Sequence, residues 1–205
     1  MRYTTLRVTG AGVVLHDLHA GRLAPAGPEA LAACRRCARE AAPGVYGLAA
    51  AEGRLRIEPL GGTRLVAGMP VRRRVSPFAT RCGAFPKPGP GGAYDAVRVP
   101  GIATLLTSAD GTEIYESCVA AVVGWDGARL VCVPDDRPRV ASLAEAAARQ
   151  VLPWANAPLR AAADLPLILL NAVAGPCPVD AGRPPVPAEV VAALERAMTR
   201  LTCRP

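Results

Sequence analysis

The chain opens on an alternation of apolar and polar residues, Tyr3-Thr4-Thr5-Leu6-Arg7-Val8, rich in β-formers. That pattern predicts a half-buried strand. Gly10-Ala11-Gly12 supplies a turn and Val13-Val14-Leu15 a second strand, which makes a hairpin. Leu18 to Leu23 reads as a loop running into a helix. Helical spacing follows from Pro28 to Ala42, with Pro28 near the start and Pro43-Gly44 as the stop. Val45–Leu48 and Arg54–Ile57 flank Ala51-Glu52-Gly53 as another hairpin. The stretch Glu58 to Pro70 is rich in Gly and Pro, so a linker is expected over 59–70, between a small α+β unit (1–58) and a larger one (71–205).

In the larger unit, strands are expected at Val71–Val75, Thr104–Thr107, Thr112–Ser117, Val119–Val123 and Arg129–Val133. Asp110-Gly111 and Asp126-Gly127 turn them, so this half is expected to begin as antiparallel β. Tyr94 to Val99 reads as a short helix. Ser142-Leu143-Ala144-Glu145 has capping-box spacing and starts a helix to about Leu152. The first turn of such a helix offers backbone N–H groups to a phosphate. Leu165–Asn171 is a buried strand by its apolar run, and Pro187–Leu201 an amphipathic closing helix. The fold class is α+β, without internal repeats.

Composition narrows the function. Of 205 residues 51% are hydrophobic but only 4% aromatic, so the core must be built from Ala, Val and Leu. The net charge of +7 suits an anionic partner. Apart from Arg72-Arg73-Arg74 the arginines are scattered, and no nucleic-acid motif or stacking platform accompanies them, so a small anion is expected rather than nucleic acid. Seven cysteines at irregular spacing, with a strand-like segment at the very start, read as reduced thiols in a cytoplasmic protein. Cys34-Arg-Arg-Cys37 lacks a second pair, so it reads as helix core and no metal site is expected. No apolar run is long enough for a membrane span.

Of the 24 Lys and Arg residues, 23 are Arg; Lys87 is the sole lysine. It sits in Ala84-Phe85-Pro86-Lys87-Pro88-Gly89-Pro90-Gly91-Gly92-Ala93-Tyr94. Arginine stays protonated, whereas a lysine amine can lose its proton and attack a carbonyl.

The order of several short motifs resembles the class IV aminotransferase family, the fold-type IV pyridoxal-phosphate enzymes, and within it most closely the aminodeoxychorismate lyases. Tyr3-Thr4-Thr5-Leu6-Arg7-Val8 is similar to the lyase branch's Phe-Thr-Thr-x-Arg-Val, with Thr4 where transaminases carry glutamate. His19-Ala20-Gly21-Arg22-Leu23 looks like the family's His-x-x-Arg-Leu, whose arginine contacts the cofactor phosphate. Lys87 falls at the Schiff-base position. Glu116, in Asp110-Gly111-Thr112-Glu113-Ile114-Tyr115-Glu116-Ser117, falls where a glutamate pairs with the pyridine nitrogen. Ser142-Leu143-Ala144 matches a phosphate-binding turn, and Asn171-Ala172 the end of the phosphate cup.

The resemblance implies the two-domain fold-type IV architecture with a shortened N-terminal domain, pyridoxal 5'-phosphate as cofactor, a small amino substrate and a homodimer. It implies Lys87 and Thr4 as catalytic residues, and Thr5 and Arg7 as substrate contacts. The implied reaction is conversion of 4-amino-4-deoxychorismate to 4-aminobenzoate and pyruvate. The alternatives are a transaminase for branched-chain or D-amino acids, and a non-catalytic relative acting as a binding protein.

Overall fold

A computed structural model describes residues 2–9, 12–51, 54–61, 65, 68–88, 92–179 and 182–200. The expected turn residues 10–11 and 52–53, much of the expected linker, 89–91 and Leu201 lie outside them. The first sheet has the order β2-β1-β3-β4, from β1 (Arg2–Thr9), β2 (Gly12–Val13), β3 (Gly44–Ala51) and β4 (Arg54–Leu60). All its pairings are antiparallel. Two helices, α1 (His16–Leu23) and α2 (Pro28–Glu40), pack on it. Leu6, Val8 and Leu48 meet Leu23, Cys34 and Cys37 in this core.

Helix α1 replaces the loop expected at Leu18–Leu23. Two histidines and a glycine give it weak intrinsic propensity. Burial decides instead: Leu15, His19 and Leu23 recur every fourth residue and all three are buried. The chain enters the helix through Leu15, whose φ of 56° and ψ of 35° are left-handed. For a leucine that backbone costs about 1–2 kcal/mol. Leu15 packs with Val14 against Ala147 of the second half, which holds it there.

That half is a sandwich. One sheet runs β10-β9-β8-β12-β13, from β8 (Ala121–Trp125), β9 (Leu130–Cys132), β10 (Trp154–Asn156), β12 (Leu167–Asn171) and β13 (Gly175–Val179). The other runs β11-β7-β6-β5, from β5 (Val71–Val75), β6 (Ala103–Thr107), β7 (Glu113–Ser117) and β11 (Leu159–Arg160). Alternation along β12 divides the cores. Leu167 and Leu169 face the second sheet, with Leu105, Ile114 and Val122. Ile168 and Leu170 face α4 (Leu143–Ala148) and α5 (Ala188–Arg200), with Ala144, Val190 and Leu194.

Several expectations change. β5 pairs with β6 in parallel, and β10 with β9, so the half is mixed rather than antiparallel. β4 extends through Leu60, so the expected linker at 59–70 begins inside a strand. α4 ends at Ala148, four residues before the expected Leu152. β13 carries Pro176 and Pro178, which argue against a central strand; it is an edge strand, where missing N–H donors are tolerated. Strand β5 is also an edge, and its arginine run is used locally. Arg72 Nε donates to Thr104 Oγ1 (3.0 Å), and Arg73 donates to the Ala161 carbonyl (2.8 Å). Among the described residues no helix is long and apolar enough to cross a membrane.

Candidate active site

A cavity of about 350 Å³ lies between β1 and α1 on one side and the loops of the sandwich on the other. Strand parity decides what β1 sends into it. Tyr3 and Thr5 share one face and line the cavity; Thr4, Leu6 and Val8 point the other way. Lys87 reaches in from the opposite wall and donates from Nζ to Thr5 Oγ1 at 3.0 Å. Its ammonium also lies 5.5 Å from the centre of the Tyr3 ring. Burial, and then the nearby Arg22 guanidinium, lower the amine's pKa to about 8.

Arg22 sits in the last turn of α1 and lines the same cavity. It donates to the Ala141 carbonyl, and desolvation lowers its pKa to about 10. His19, one turn earlier, lines the cavity too. Its Nδ1 is 2.7 Å from Thr4 Oγ1, while its buried Nε2 has no hydrogen-bond partner. Desolvation, then Arg22 and Lys87, lower its pKa to about 3, so the ring is neutral.

Glu116 stands across the cavity on β7, only 3% exposed. The Tyr94 hydroxyl donates to Oε1, and the Val140 N–H to Oε2 at 3.0 Å. Burial raises its pKa to about 7 against the pull of those two donors. Tyr94 rises in turn, from burial and from the adjacent carboxylate. A ring cluster of Phe78, Phe85 and Tyr94 braces this wall.

Lys87, Thr5, Arg22, Glu116, Ser142, Leu143, Ala144, Asn171 and Ala172 all line this cavity. Two of the side chains are committed to scaffolding. Ser142 Oγ accepts from the Glu145 N–H at 3.2 Å and caps α4. Asn171 Oδ1 accepts from the N–H groups of Val173 (2.7 Å) and Ala174 (3.0 Å), while Nδ2 donates to the Val119 carbonyl. What these positions offer the cavity is main chain.

Thr4 and Arg7 are corrections. Neither lines the cavity. Thr4 lies on the far face of β1, fully buried, and its hydroxyl orients His19. Arg7 shares the face of Thr5 but lies farther along the strand, with a buried, unpartnered Nε. Arg98, at the end of the short helix α3 (Ala93–Val97), reaches the cavity, as Arg22 does. His19, Tyr94 and Arg98 are the residues sequence reasoning left out. The first two lie inside motifs already quoted, and alternation along β1 separates Thr4 from Thr5. Thr4→Val is expected to destabilise the protein by about 1–3 kcal/mol, because it strips a buried nitrogen of its partner. Thr4→Ser is expected to be near neutral. Urea unfolding midpoints check both.

No protein-family model matches the sequence, and no curated protein matches it. Solved structures do match in three dimensions. An aminodeoxychorismate lyase from Pseudomonas aeruginosa superposes with a TM-score of 0.62 at 19% identity, covering 97% of this chain and 88% of its own. A hypothetical aminotransferase from Mycobacterium tuberculosis, bound to α-ketoglutarate and PMP, gives 0.70 at 17% identity, covering 97% and 89%. A fold IV transaminase from Curtobacterium pusillum gives 0.67 at 20%, covering 97% and 84%. The chain is thus similar to these enzymes over nearly its full length, and its fold is the α+β fold-type IV architecture.

Proposed function

We propose that this chain is a pyridoxal-phosphate-dependent enzyme of fold-type IV, acting as a lyase of the aminodeoxychorismate type. The observation that carries the reading is the sole lysine of the chain. Its amine is held inside a cavity by Thr5, with a pKa near 8, while a buried carboxylate and a guanidinium line the same walls. A division into a small and a larger unit belongs to the same reading, with the boundary moved from 58 to the end of β4 at Leu60.

The residues present fit this cofactor. The donor set has an amine for an aldehyde, a cation for a phosphate and a buried acid for a ring nitrogen. The His19 Nε2 is a buried nitrogen in the cavity wall with no protein partner. Lys87 would hold the cofactor, Arg22 with the main chain at Ser142–Ala144 and Asn171–Ala172 its phosphate, and Glu116 its ring nitrogen. When bound, pyridoxal phosphate supplies an aldehyde that condenses with amines and a ring that withdraws electrons from the carbon bearing the amine.

Lys87 has the two properties a base at that carbon needs. A pKa near 8 leaves a useful neutral fraction at neutral pH, and the Thr5 hydroxyl fixes where its lone pair points. Glu116, tuned to about 7, ionises readily once a cation faces it. Arg98 takes the role expected of Arg7, meeting a substrate carboxylate at the mouth. The Phe78–Phe85–Tyr94 cluster holds the wall behind Glu116 rigid.

A transaminase is the second reading, favoured by the likeness in fold to two aminotransferases. One assay separates them. The protein with pyridoxal phosphate is incubated with 4-amino-4-deoxychorismate, and separately with amino donors and a keto acid. Release of 4-aminobenzoate and pyruvate supports the lyase; keto-acid exchange without 4-aminobenzoate rejects it. A protein that keeps no colour once unbound cofactor is removed rejects both and leaves the binding-protein reading.

A further inference from the structure

Arg139 and Glu145 form a buried ion pair outside the cavity. Arg139 donates twice to Glu145, from Nη1 to Oε2 at 2.6 Å and from Nη2 to Oε1 at 3.1 Å. Nη2 also reaches Asp135 Oδ1 at 2.5 Å, and Arg149, which caps the C-terminus of α4, donates to Glu145. Both partners of the pair are almost wholly buried.

Such pairs contribute little net stability relative to apolar packing, because desolvating both charges offsets their attraction. Their bidentate geometry does fix orientation. What this pair orients is the main chain between its members. The Val140 N–H holds Glu116 Oε2 at 3.0 Å. The Ala141 carbonyl receives Arg22. The Arg139 carbonyl accepts from the Phe85 N–H at 2.9 Å, two residues before Lys87. The Gly83 and Ala84 N–H groups bond in the same way to the carbonyls of Asp136 (2.9 Å) and Asp135 (3.1 Å). Residues 139–145 therefore bond directly to Glu116 and Arg22 and to the main chain two residues before Lys87, and the ion pair closes that segment on itself.

We propose that Arg139 and Glu145 are positioning residues: their buried pair locks residues 139–145 into a strap whose main chain holds Glu116, Arg22 and the Lys87 segment in register. The inference rests on the cofactor reading above, since it is that chemistry which needs the three groups aligned. It accounts for a buried pair where apolar packing would serve stability equally well.

The test compares Glu145→Gln with Arg149→Gln, which removes only the outer partner. Three readouts are taken: hydrogen exchange at the Val140 amide, the rate at which an amine reagent labels Lys87 at pH 8, and the Kd for pyridoxal phosphate. Lys87 is the sole lysine, so its labelling is unambiguous by mass spectrometry. Glu145→Gln is expected to speed Val140 exchange at least tenfold, change Lys87 labelling at least threefold and weaken cofactor binding about tenfold. Arg149→Gln is expected to leave all three within twofold. If Glu145→Gln lowers the melting temperature but leaves Val140 exchange and Lys87 labelling at the wild-type values, the pair is only structural and the proposal fails. Should Glu145→Gln not fold, the apolar double variant Arg139→Met with Glu145→Leu is read by the same criteria. If the wild type binds no pyridoxal phosphate while Val140 and Lys87 still respond, the strap stands and the cofactor reading falls.

Discussion

Lys87→Ala is expected to abolish covalent retention of pyridoxal phosphate and to reduce turnover on the order of 1000-fold or more. The wild type mixed with cofactor should stay yellow after the unbound cofactor is removed, and borohydride should fix the added mass on the peptide containing Lys87. The alanine variant should show neither, with its melting temperature little changed, because the side chain makes a single hydrogen bond to Thr5. Lys87→Arg should be just as inactive, since a guanidinium restores the charge but not the nucleophile. Retained colour and a fixed mass elsewhere in Lys87→Ala would end the assignment.

Glu116→Gln should separate binding from chemistry. The amide keeps the shape: its oxygen can accept from the Val140 N–H while its NH2 donates to the Tyr94 oxygen, so covalent retention through Lys87 is expected to survive. Turnover is expected to fall about 100- to 1000-fold, the range for removing one buried electrostatic stabiliser from an active site. Cofactor-free protein offers an independent check. The Glu116 carboxyl has a folded pKa near 7, above its ordinary 4.5. Between those values the folded state keeps a proton that the unfolded chain has released, so wild-type stability falls as pH rises. Subtracting the Glu116→Gln profile isolates that loss, at most about 1.4 kcal/mol per pH unit. An identical profile in the two proteins would show that the carboxyl is not tuned as described.

The architecture was legible wherever one periodicity held for several residues. β1 alternates, β12 is apolar up to its last residue, Asn171, and α2 has a Pro start, so each announces itself. The failures have local causes. α1 is carried by three buried residues against poor propensity, and β13 by its place at a sheet edge that no single-chain pattern reports. For the candidate site, motif order brought nine residues to one cavity. It misassigned Thr4 because a motif ignores strand parity. It overlooked Arg98 because cavity walls are assembled from segments that share no pattern. The Arg139–Glu145 pair was invisible for the same reason: two charges six residues apart look like a solvated turn until the packing around them is known.

The hydrogen bond from Lys87 to Thr5 joins residues 82 positions apart, and that from Arg22 to Ala141 joins residues 119 apart. Contacts between residues so far apart in sequence are absent from the unfolded chain and exist only where the two halves are packed together. A nascent chain therefore exposes its lysine as an ordinary hydrated ammonium, a poor partner for stray aldehydes. The lowered pKa needs the burial and the Arg22 charge that only the assembled cavity supplies, so the appearance of a low-pKa amine reports completion of the native state.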